Sequence, residues 1–231
     1  MGAFVRIMAS VKTALGSRAR PAAANHHEAP VPPRVASAAQ SAELISSFAR
    51  ELEAVGGHFA GALMAEELPA RAVELADQTG VLSIAIGASV SFDAEALANS
   101  LEQHGREIIR CGPAGDDQRR AAIERIARAD LGIVEADCAI ASTGTIVVAA
   151  TAARPSALTL LPPALLAIVR VDRLAPDAAA AISALGAETI AHHRVVFITG
   201  PSRTADIEKL IVVGVHGPKQ LHVILLWPKD V

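Results

Sequence analysis

Two glycine-centred segments carry the residue types most able to bind a small anion. The first, IASTGT over residues 140–145, and the second, FITGPSRTAD over residues 197–206, each follow or interrupt an apolar run typical of a strand. Hydroxyl groups and backbone N–H groups at strand ends are common donors to phosphates and carboxylates. The candidate ligand-binding residues in the two segments are Ser142, Thr143, Gly144, Thr145, Gly200, Ser202, Arg203 and Thr204.

The segment ASTGT has two interpretations. Gly144 lies between Thr143 and Thr145, where a glycine permits a tight turn with positive φ or the close approach of a ligand. Threonine also favours strands, so a plain β-turn that joins two strands explains the same residues. The pattern leaves ligand binding and a purely structural turn both open.

The segment GPSRT is more specific. Thr204 is a candidate N-cap for a helix over residues 204–214, and Arg203 offers a planar donor fork that matches a carboxylate or phosphate. A strand over residues 194–199, followed by this loop and helix, would place Arg203 at the carboxyl end of a parallel strand, where open α/β sheets bind ligands. Acidic residues in the first turn of the helix could instead pair with Arg203, but we favour ligand binding.

The segment GVHGP follows that helix and adds His216 to the candidate residues. Its two flanking glycines could orient the imidazole towards a cleft, or His216 could cap the C-terminus of the helix. Both interpretations stay open. His222 is expected to pack or to lie at a strand edge, and His192 and His193 are expected in a loop. The chain has no GxSxG, P-loop or HExxH motif, so no catalytic residue is assigned.

Composition narrows the class of protein. The chain has 231 residues, 52% of them hydrophobic and only 3% aromatic, with a net charge of −3. This length and apolar content suit one large α/β domain. A nucleic-acid-binding protein would normally show a basic face and stacking aromatic residues, so we expect no nucleic-acid partner. No segment is apolar over the length needed to span a membrane.

The two cysteines, Cys111 and Cys138, set limits on cofactors. An iron–sulfur cluster usually takes about four thiolates, so this chain alone cannot supply the ligands. The absence of a CxxC pair also argues against zinc, and we expect no metal and no cofactor in this chain. Two free cysteines that pack as small hydrophobic residues fit a reducing cytoplasm.

Helical and strand patterns alternate along the chain after an N-terminal arm. Residues 1–36 are predicted to form the arm, a short helix over 8–16 and a proline-rich linker over 17–36, ahead of an α/β domain over 37–231. Further helices are predicted over 41–55, 66–79, 93–104, 117–129, 176–185 and 204–214. Strands are predicted over 81–86, 107–110, 131–134, 138–141, 145–149, 157–161, 165–171, 194–199 and 221–226. This alternation predicts a Rossmann-like, mixed but mostly parallel sheet with helices on both faces and a hairpin portion between 131 and 171.

Three of these segments resemble the lactate utilisation protein C family, whose members contain a LUD domain. They are ADCAIASTGT over 136–145, ALTLLPPALLAIV over 157–169 and FITGPSRTADIEKLIVVGVHGPKQLHVIL over 197–225. The last of them is long and rich in unusual residues, and is therefore the most specific. The segments MASVKTALG over 8–16 and FARELEAVGG over 48–57 also resemble the start of that family, so the resemblance covers nearly the whole chain.

The resemblance implies a bacterial cytoplasmic protein of a three-part system that oxidises L-lactate to pyruvate. It implies iron–sulfur clusters on the two partner subunits and none on this chain, which would bind a small carboxylate or support those partners. At most the chain would be one component of a quinone- or cytochrome-linked L-lactate dehydrogenase complex, and whether it performs a catalytic step is left open. The implied fold is similar to that of the sugar-phosphate isomerase and CoA-transferase group.

One position departs from the family pattern. Members of the family commonly have a glutamate where this chain has Ser142, so acid–base chemistry at this turn is doubtful, whereas ligand positioning by its hydroxyls is not affected. The alternative function is that of a stand-alone enzyme or small-ligand binding module, acting on a phosphorylated or acyl substrate by analogy with the implied fold.

Overall fold

Six parallel strands form the central sheet of the protein. The computed structural model describes residues 38–113, 115–205, 211–213 and 217–228, so the predicted N-terminal helix and linker lie outside the described residues. The strands are β1 (His58–Leu63), β2 (Ser83–Ile86), β3 (Glu107–Arg110), β4 (Leu131–Glu135), β7 (Ala164–Arg170) and β12 (Gln220–Leu226). Their order in the sheet is β1-β12-β7-β4-β2-β3, and every neighbouring pair is parallel.

Helices cover both faces of this sheet. The helices are α1 (Ala38–Ala54), α2 (Leu68–Thr79), α3 (Ala94–Gln103), α4 (Asp116–Ile126), α5 (Ala157–Leu160) and α6 (Ala178–His192). Buried residues of α2 and α3 pack on one face, against the side of the sheet that includes Ile84 and Ile133. Buried residues of α1, α4 and α5 pack on the other face, against the side that includes Ala85 and Val134. The predicted Rossmann-like α/β class is confirmed.

A second sheet lies over the face that carries α1. It has the order β8-β5-β6-β9 and consists of β5 (Cys138–Ile140), β6 (Thr145–Ala150), β8 (Leu174–Ala175) and β9 (Arg194–Thr199). Alternate side chains of β5 point to opposite sides, as strand geometry requires. Ala139 joins the core between the two sheets, whereas Cys138 and Ile140 pack with Ala181 and Leu185 of α6. The predicted hairpin of β5 and β6 therefore belongs to a separate layer.

Local sequence explains where several elements begin and end. Asp93 caps α3 by accepting hydrogen bonds from the backbone N–H groups of Glu95 and Ala96. Helix α2 carries a proline in its first turn and ends at Gly80, which has φ 67° and closes the helix in the left-handed conformation. None of the helices in the described part of the chain is both long and apolar enough to cross a membrane.

Two predictions of secondary structure are wrong, and one strand was missed. Residues 157–161 form the short helix α5 rather than a strand, because an apolar run this short has no diagnostic period and prolines at 155 and 162 bound a single helical turn. Strand β1 was not predicted, since Gly61, with φ 114°, interrupts its alternation and a register shift follows. His192 ends helix α6 rather than lying in a loop.

The predicted helix over 204–214 is also wrong. The structure has strand β10 (Arg203–Ala205) paired antiparallel with strand β11 (Ile211–Val213). β-branched residues at 211–213 favour such a strand, and the same apolar spacing had suggested a helix. Thr204 therefore caps no helix, and Arg203 lies on a strand. Strand β9, which precedes it, pairs antiparallel with β6, so Arg203 does not follow a parallel strand either.

Candidate functional site

The two glycine-centred segments lie side by side. Strands β6 and β9 pair antiparallel, with Thr145 opposite Thr199. The start of β6 and the end of β9, where the two segments lie, are therefore at the same end of the second sheet. The Oγ1 atoms of Thr145 and Thr199 are 2.7 Å apart, and those of Thr143 and Thr145 are 2.8 Å apart. We call these three connected threonines the hydroxyl array. Sequence analysis had identified Thr143 and Thr145 but not Thr199.

The hydroxyl array has one proton to spare. Each threonine hydroxyl supplies one donor and can accept two bonds. The two hydrogen bonds of the array use two of its three protons, whichever way they run. Thr143 and Thr199 are exposed, whereas Thr145 is only 4% exposed. Where Thr145 donates to one of its two neighbours, the spare proton lies on exposed Thr143 or Thr199 and can be donated to an acceptor outside the array, such as a carboxylate oxygen.

Packing alone accounts for both glycines. Gly144 has φ 60°, and a Cβ atom added there would overlap the backbone of Leu52 in α1. Gly200 has φ 79°, and its added Cβ would lie 2.6 Å from the carbonyl oxygen of Val55, just after the same helix. Both turns thus need glycine for a left-handed backbone and for close contact with α1. Ligand binding by Gly144 and Gly200 through their backbone N–H groups stays a prediction, as it does for the hydroxyls.

Two further contacts define the surroundings of the first turn. The backbone N–H of Ser142 donates to the carbonyl of Pro176 at 3.2 Å, while the Ser142 side chain is exposed. The Ser47 hydroxyl donates to the carbonyl of Ala141 at 3.4 Å, and Arg50 Nη2 donates to that hydroxyl at 3.3 Å. Arg50 is thus a cation one side chain away from the turn. Sequence analysis missed it because a lone arginine on an amphipathic helix carries no signature of binding.

The second turn contacts the segment that precedes β12. The backbone N–H of Ser202 donates to the carbonyl of Pro218 at 2.8 Å, and a Cβ added at Gly217 would lie 3.3 Å from the Ser202 Cβ. The turn after Gly200 and residues 217–218 therefore meet at Ser202. The side chains of Arg203 and Thr204 and the whole of His216 lie outside the described residues, so their role in ligand binding stays a prediction.

A buried ion pair at the carboxyl edge of the parallel sheet was not predicted. Arg154 Nη2 lies 2.9 Å from Asp137 Oδ1, and Arg154 Nη1 donates to the carbonyl of Glu135 at 2.8 Å. The second oxygen of Asp137 accepts from the N–H of Ala149 at 2.7 Å. Both oxygens of the Glu135 carboxylate are also engaged, by the N–H of Val90 and the hydroxyl of Ser91. The signal in the sequence that could have indicated this ion pair is the occurrence of two acids, Glu135 and Asp137, where a buried strand ends.

Neither cysteine is set up as a nucleophile. Burial raises the pKa of Cys111 to about 11 and that of Cys138 to about 12, so both stay protonated thiols near neutral pH. The prediction of two free cysteines is confirmed for this structure. Among the residues that the structure describes, no three His, Cys, Asp or Glu side chains come together in a group that could hold a metal ion. The expectation that this chain carries no cofactor stays a prediction.

Two histidines stack at the start of β1 and β12. His58 and His222 are partners in the parallel register, and their ring centroids are 5.0 Å apart. His222 is half-buried, and its buried Nε2 has no hydrogen-bond partner in the structure. Burial lowers the pKa of His222 to about 4, with smaller contributions from His58 and Arg71. His222 is therefore packed, as expected, and neutral at pH 7.

Comparison with known proteins agrees with the Rossmann-like class that this architecture defines. A chain of known structure, described as a DUF162 family protein from Deinococcus radiodurans, superposes with a TM-score of 0.58 over 80% of this chain and 98% of that one. The two sequences are 20% identical, so this likeness supports the fold only. A family model described as the LUD domain matches residues 45–226. The chain belongs to the LUD domain family, which confirms the resemblance found in the sequence.

Within this family, several curated proteins similar to the chain are named lactate utilization protein C. Lactate utilization protein C of Exiguobacterium sp. is 38% identical over 113 residues, covering 47% of this chain and 49% of that protein. Lactate utilization protein C of Bacillus licheniformis is 34% identical over 135 residues, covering 56% of this chain and 55% of that protein. Escherichia coli YkgG is 30% identical over 159 residues and 67% of each chain. The chain spans about half the length of the relatives named for lactate utilisation.

Proposed function

We propose that this chain acts in bacterial lactate utilisation as the subunit without iron–sulfur clusters in an L-lactate oxidising system, where it binds a small carboxylate. The observation that carries the proposal is the LUD domain over residues 45–226, together with relatives named lactate utilization protein C. The iron–sulfur subunits of that system are the proposed partners. The two protonated cysteines, half-buried Cys111 and buried Cys138, fit a subunit that leaves cluster ligation to those partners.

The hydroxyl array is the proposed carboxylate site. Its spare proton would be donated to a carboxylate oxygen, and the exposed positions of Thr143 and Thr199 leave room for that oxygen to approach. Arg50, which would have to exchange its ion pair with Glu51 for the ligand, and Arg203, as the sequence predicts, are the candidates for charge neutralisation, because a guanidinium pairs well with a carboxylate. Ser142, where the family commonly has glutamate, adds a hydroxyl rather than a repelling negative charge at this turn.

The two acids described at the carboxyl edge of the parallel sheet do not favour the alternative of a stand-alone enzyme. An acid–base enzyme needs a carboxylate or imidazole that is free to exchange a proton with its substrate. Glu135 and Asp137 at the carboxyl edge of the parallel sheet have both of their carboxylate oxygens engaged. The hydroxyl array has no acidic or basic member in the described part of the chain.

A binding experiment tests the site. We expect calorimetric titration of the full chain with lactate or pyruvate to give saturable binding, weakened by Thr143→Val because this change removes an exposed hydroxyl. Thr79→Val is the matched control, since Thr79 donates to the carbonyl of Leu75 inside α2 on the opposite face of the sheet. Equal affinity of all three proteins would contradict the site. A deletion strain that grows on lactate as well as its parent would contradict the function.

A further inference from the structure

A second site is visible at the carboxyl ends of β2 and β3, away from the hydroxyl array. The structure has a cleft of about 320 Å³ there, which falls within the range of about 300–1,000 Å³ typical of small-molecule sites. It is bounded by the loop after β2, the first turns of α3 and the end of β3. Neither the family nor the proposed lactate function assigns a role to this cleft.

Chain topology creates the opening. After β2 the chain continues into α3, which packs on the face of the sheet that includes Ile84. After β3 it continues into α4, which packs on the opposite face. Because neighbouring strands send their connections to opposite faces, the sheet edge between them stays uncovered. Open α/β sheets bind ligands at such switch points.

The lining suits a small and largely apolar ligand. Small residues on the loop and on α3 keep the cleft open, and larger apolar side chains complete its wall. A Cβ added at Gly87 would lie 2.8 Å from a Leu158 methyl group, so this part of the wall also needs its glycine. These small and apolar lining residues are Ile86, Gly87, Ala88, Phe92, Ala94 and Ala98.

Arg110 contributes a fixed guanidinium plane to the cleft. Its Nε donates to Glu95 at 2.9 Å and its Nη1 to Glu102 at 2.7 Å. Its Nη2 donates to Asn99 and Glu102 at 3.3 Å each. These acceptors hold the edge of the guanidinium, while the Arg110 side chain stays 40% exposed. A guanidinium face stacks well on an aromatic ring.

The charge around the cleft disfavours anions. Asp93 and Glu95 line it and Glu102 lies beside it. Among the lining residues that the structure describes, Arg110 is the one cation, and it is already paired with Glu95 and Glu102; Arg125 acts on Cys111 from outside the lining. Burial keeps the Cys111 thiol, another lining residue, in its neutral form. A phosphate or carboxylate would therefore meet net negative charge, whereas donor groups of a neutral ligand would find acceptors.

The loop over the cleft is held in place before any ligand arrives. The Ser89 hydroxyl accepts from the N–H groups of Ser91 and Phe92 at 3.1 and 3.2 Å. Buried Glu135 accepts from the N–H of Val90 at 2.7 Å and from the Ser91 hydroxyl. Such preorganisation lowers the entropy cost of binding.

We propose that this cleft binds a neutral, planar heteroaromatic ring of the nucleobase or nucleoside class, stacked on the face of Arg110. The small residues accommodate the thickness of the ring. Asp93 and Glu95 are the acceptors for its amino or hydroxyl donors. The ligand class follows from the small and apolar lining, the occupied edge of the guanidinium and the negative surroundings taken together.

Titration of the full chain with adenosine, followed by saturation-transfer NMR and calorimetry, tests this site. We expect saturable binding that Arg110→Met weakens roughly tenfold. A loss of this size corresponds to one stacking contact of about 1.4 kcal/mol. Ala94→Leu should weaken it as well by filling the cleft. Arg120→Met is the matched control, because Arg120 pairs with Glu124 on the exposed side of α4.

Adenosine 5′-monophosphate serves as the charged counterpart and should bind less tightly than adenosine. Absence of saturable adenosine binding would overturn the proposal. So would equal affinity of the native chain and the folded Arg110→Met variant, or tighter binding of the monophosphate than of adenosine. Lactate binding should be unaffected by Arg110→Met, so failure here is distinguishable from failure of the proposed lactate function.

Discussion

Thr145 and Thr199 face each other across β6 and β9, with their Oγ1 atoms 2.7 Å apart. The two residues are 54 positions apart in the chain. Their hydrogen bond joins the two glycine-centred turns into one surface on the second sheet. Because both turns also rest on the C-terminal half of α1, that helix sets the distance between them.

Replacement of Gly144 by alanine should destabilise the protein strongly. The left-handed conformation costs alanine about 1–2 kcal/mol, and overlap with the α1 backbone adds about 1–3 kcal/mol. Gly80→Ala is the matched control, because Gly80 also has positive φ but open space around it. Urea denaturation of both variants measures the difference. Equal losses of stability would show that contact with α1 does not require this glycine.

Removal of the buried guanidinium of Arg154 should also be costly. Arg154→Met leaves the carboxylate of Asp137 without its partner, and breaking a buried pair typically costs about 3–5 kcal/mol. Arg120→Met breaks only an exposed pair on α4 and should cost less than about 1 kcal/mol. Chemical denaturation of both variants provides the comparison. A loss as small as that of Arg120→Met would mean that water or another group replaces Arg154.

Stability should decrease as the pH falls from 6.5 towards 4. Burial in the folded state lowers the pKa of His222 from its ordinary 6.5 to about 4, so the unfolded chain binds the proton more readily. The stability that the neutral ring provides is complete above pH 6.5 and is lost as the pH falls towards 4. His222→Phe should flatten this part of the stability profile, whereas exposed His104→Phe should not. An unchanged profile in His222→Phe would exclude His222 as the cause.

Both cysteines should react slowly with alkylating reagents in the native protein. The thiolate is the reactive form, and raised pKa values of about 11 for Cys111 and about 12 for Cys138 leave little of it at pH 8. We expect Cys111 to react first because Cys138 is the more deeply buried. Mass spectrometry of the iodoacetamide-treated protein, with a urea-denatured sample as the control, measures the two rates. Fast native labelling of Cys138 would contradict its burial.

Sequence patterns predicted most of the central sheet. Continuous apolar runs at residues 81–86, 131–134 and 221–226 are typical of strands buried on both faces, and all three are strands of the parallel sheet. The helices before and between them were predicted from apolar spacing. The predictions failed where runs were short or ambiguous, as at α5 and at the pair β10 and β11. Local propensity is weak there, so tertiary contacts decide the conformation.

The candidate site shows the same division. Sequence alone determined that the turns around Gly144 and Gly200 are unusual and rich in hydroxyls. It also determined that the chain resembles the LUD domain family. Both follow from residue types and their spacing, which the sequence records directly. Only the tertiary structure decided that the glycines serve contact with α1, that Thr199 completes the hydroxyl array, and that Arg110 borders an open cleft. These facts depend on strand register and on the faces to which crossovers run. Register and crossover direction arise from contacts between distant residues, so no local pattern records them.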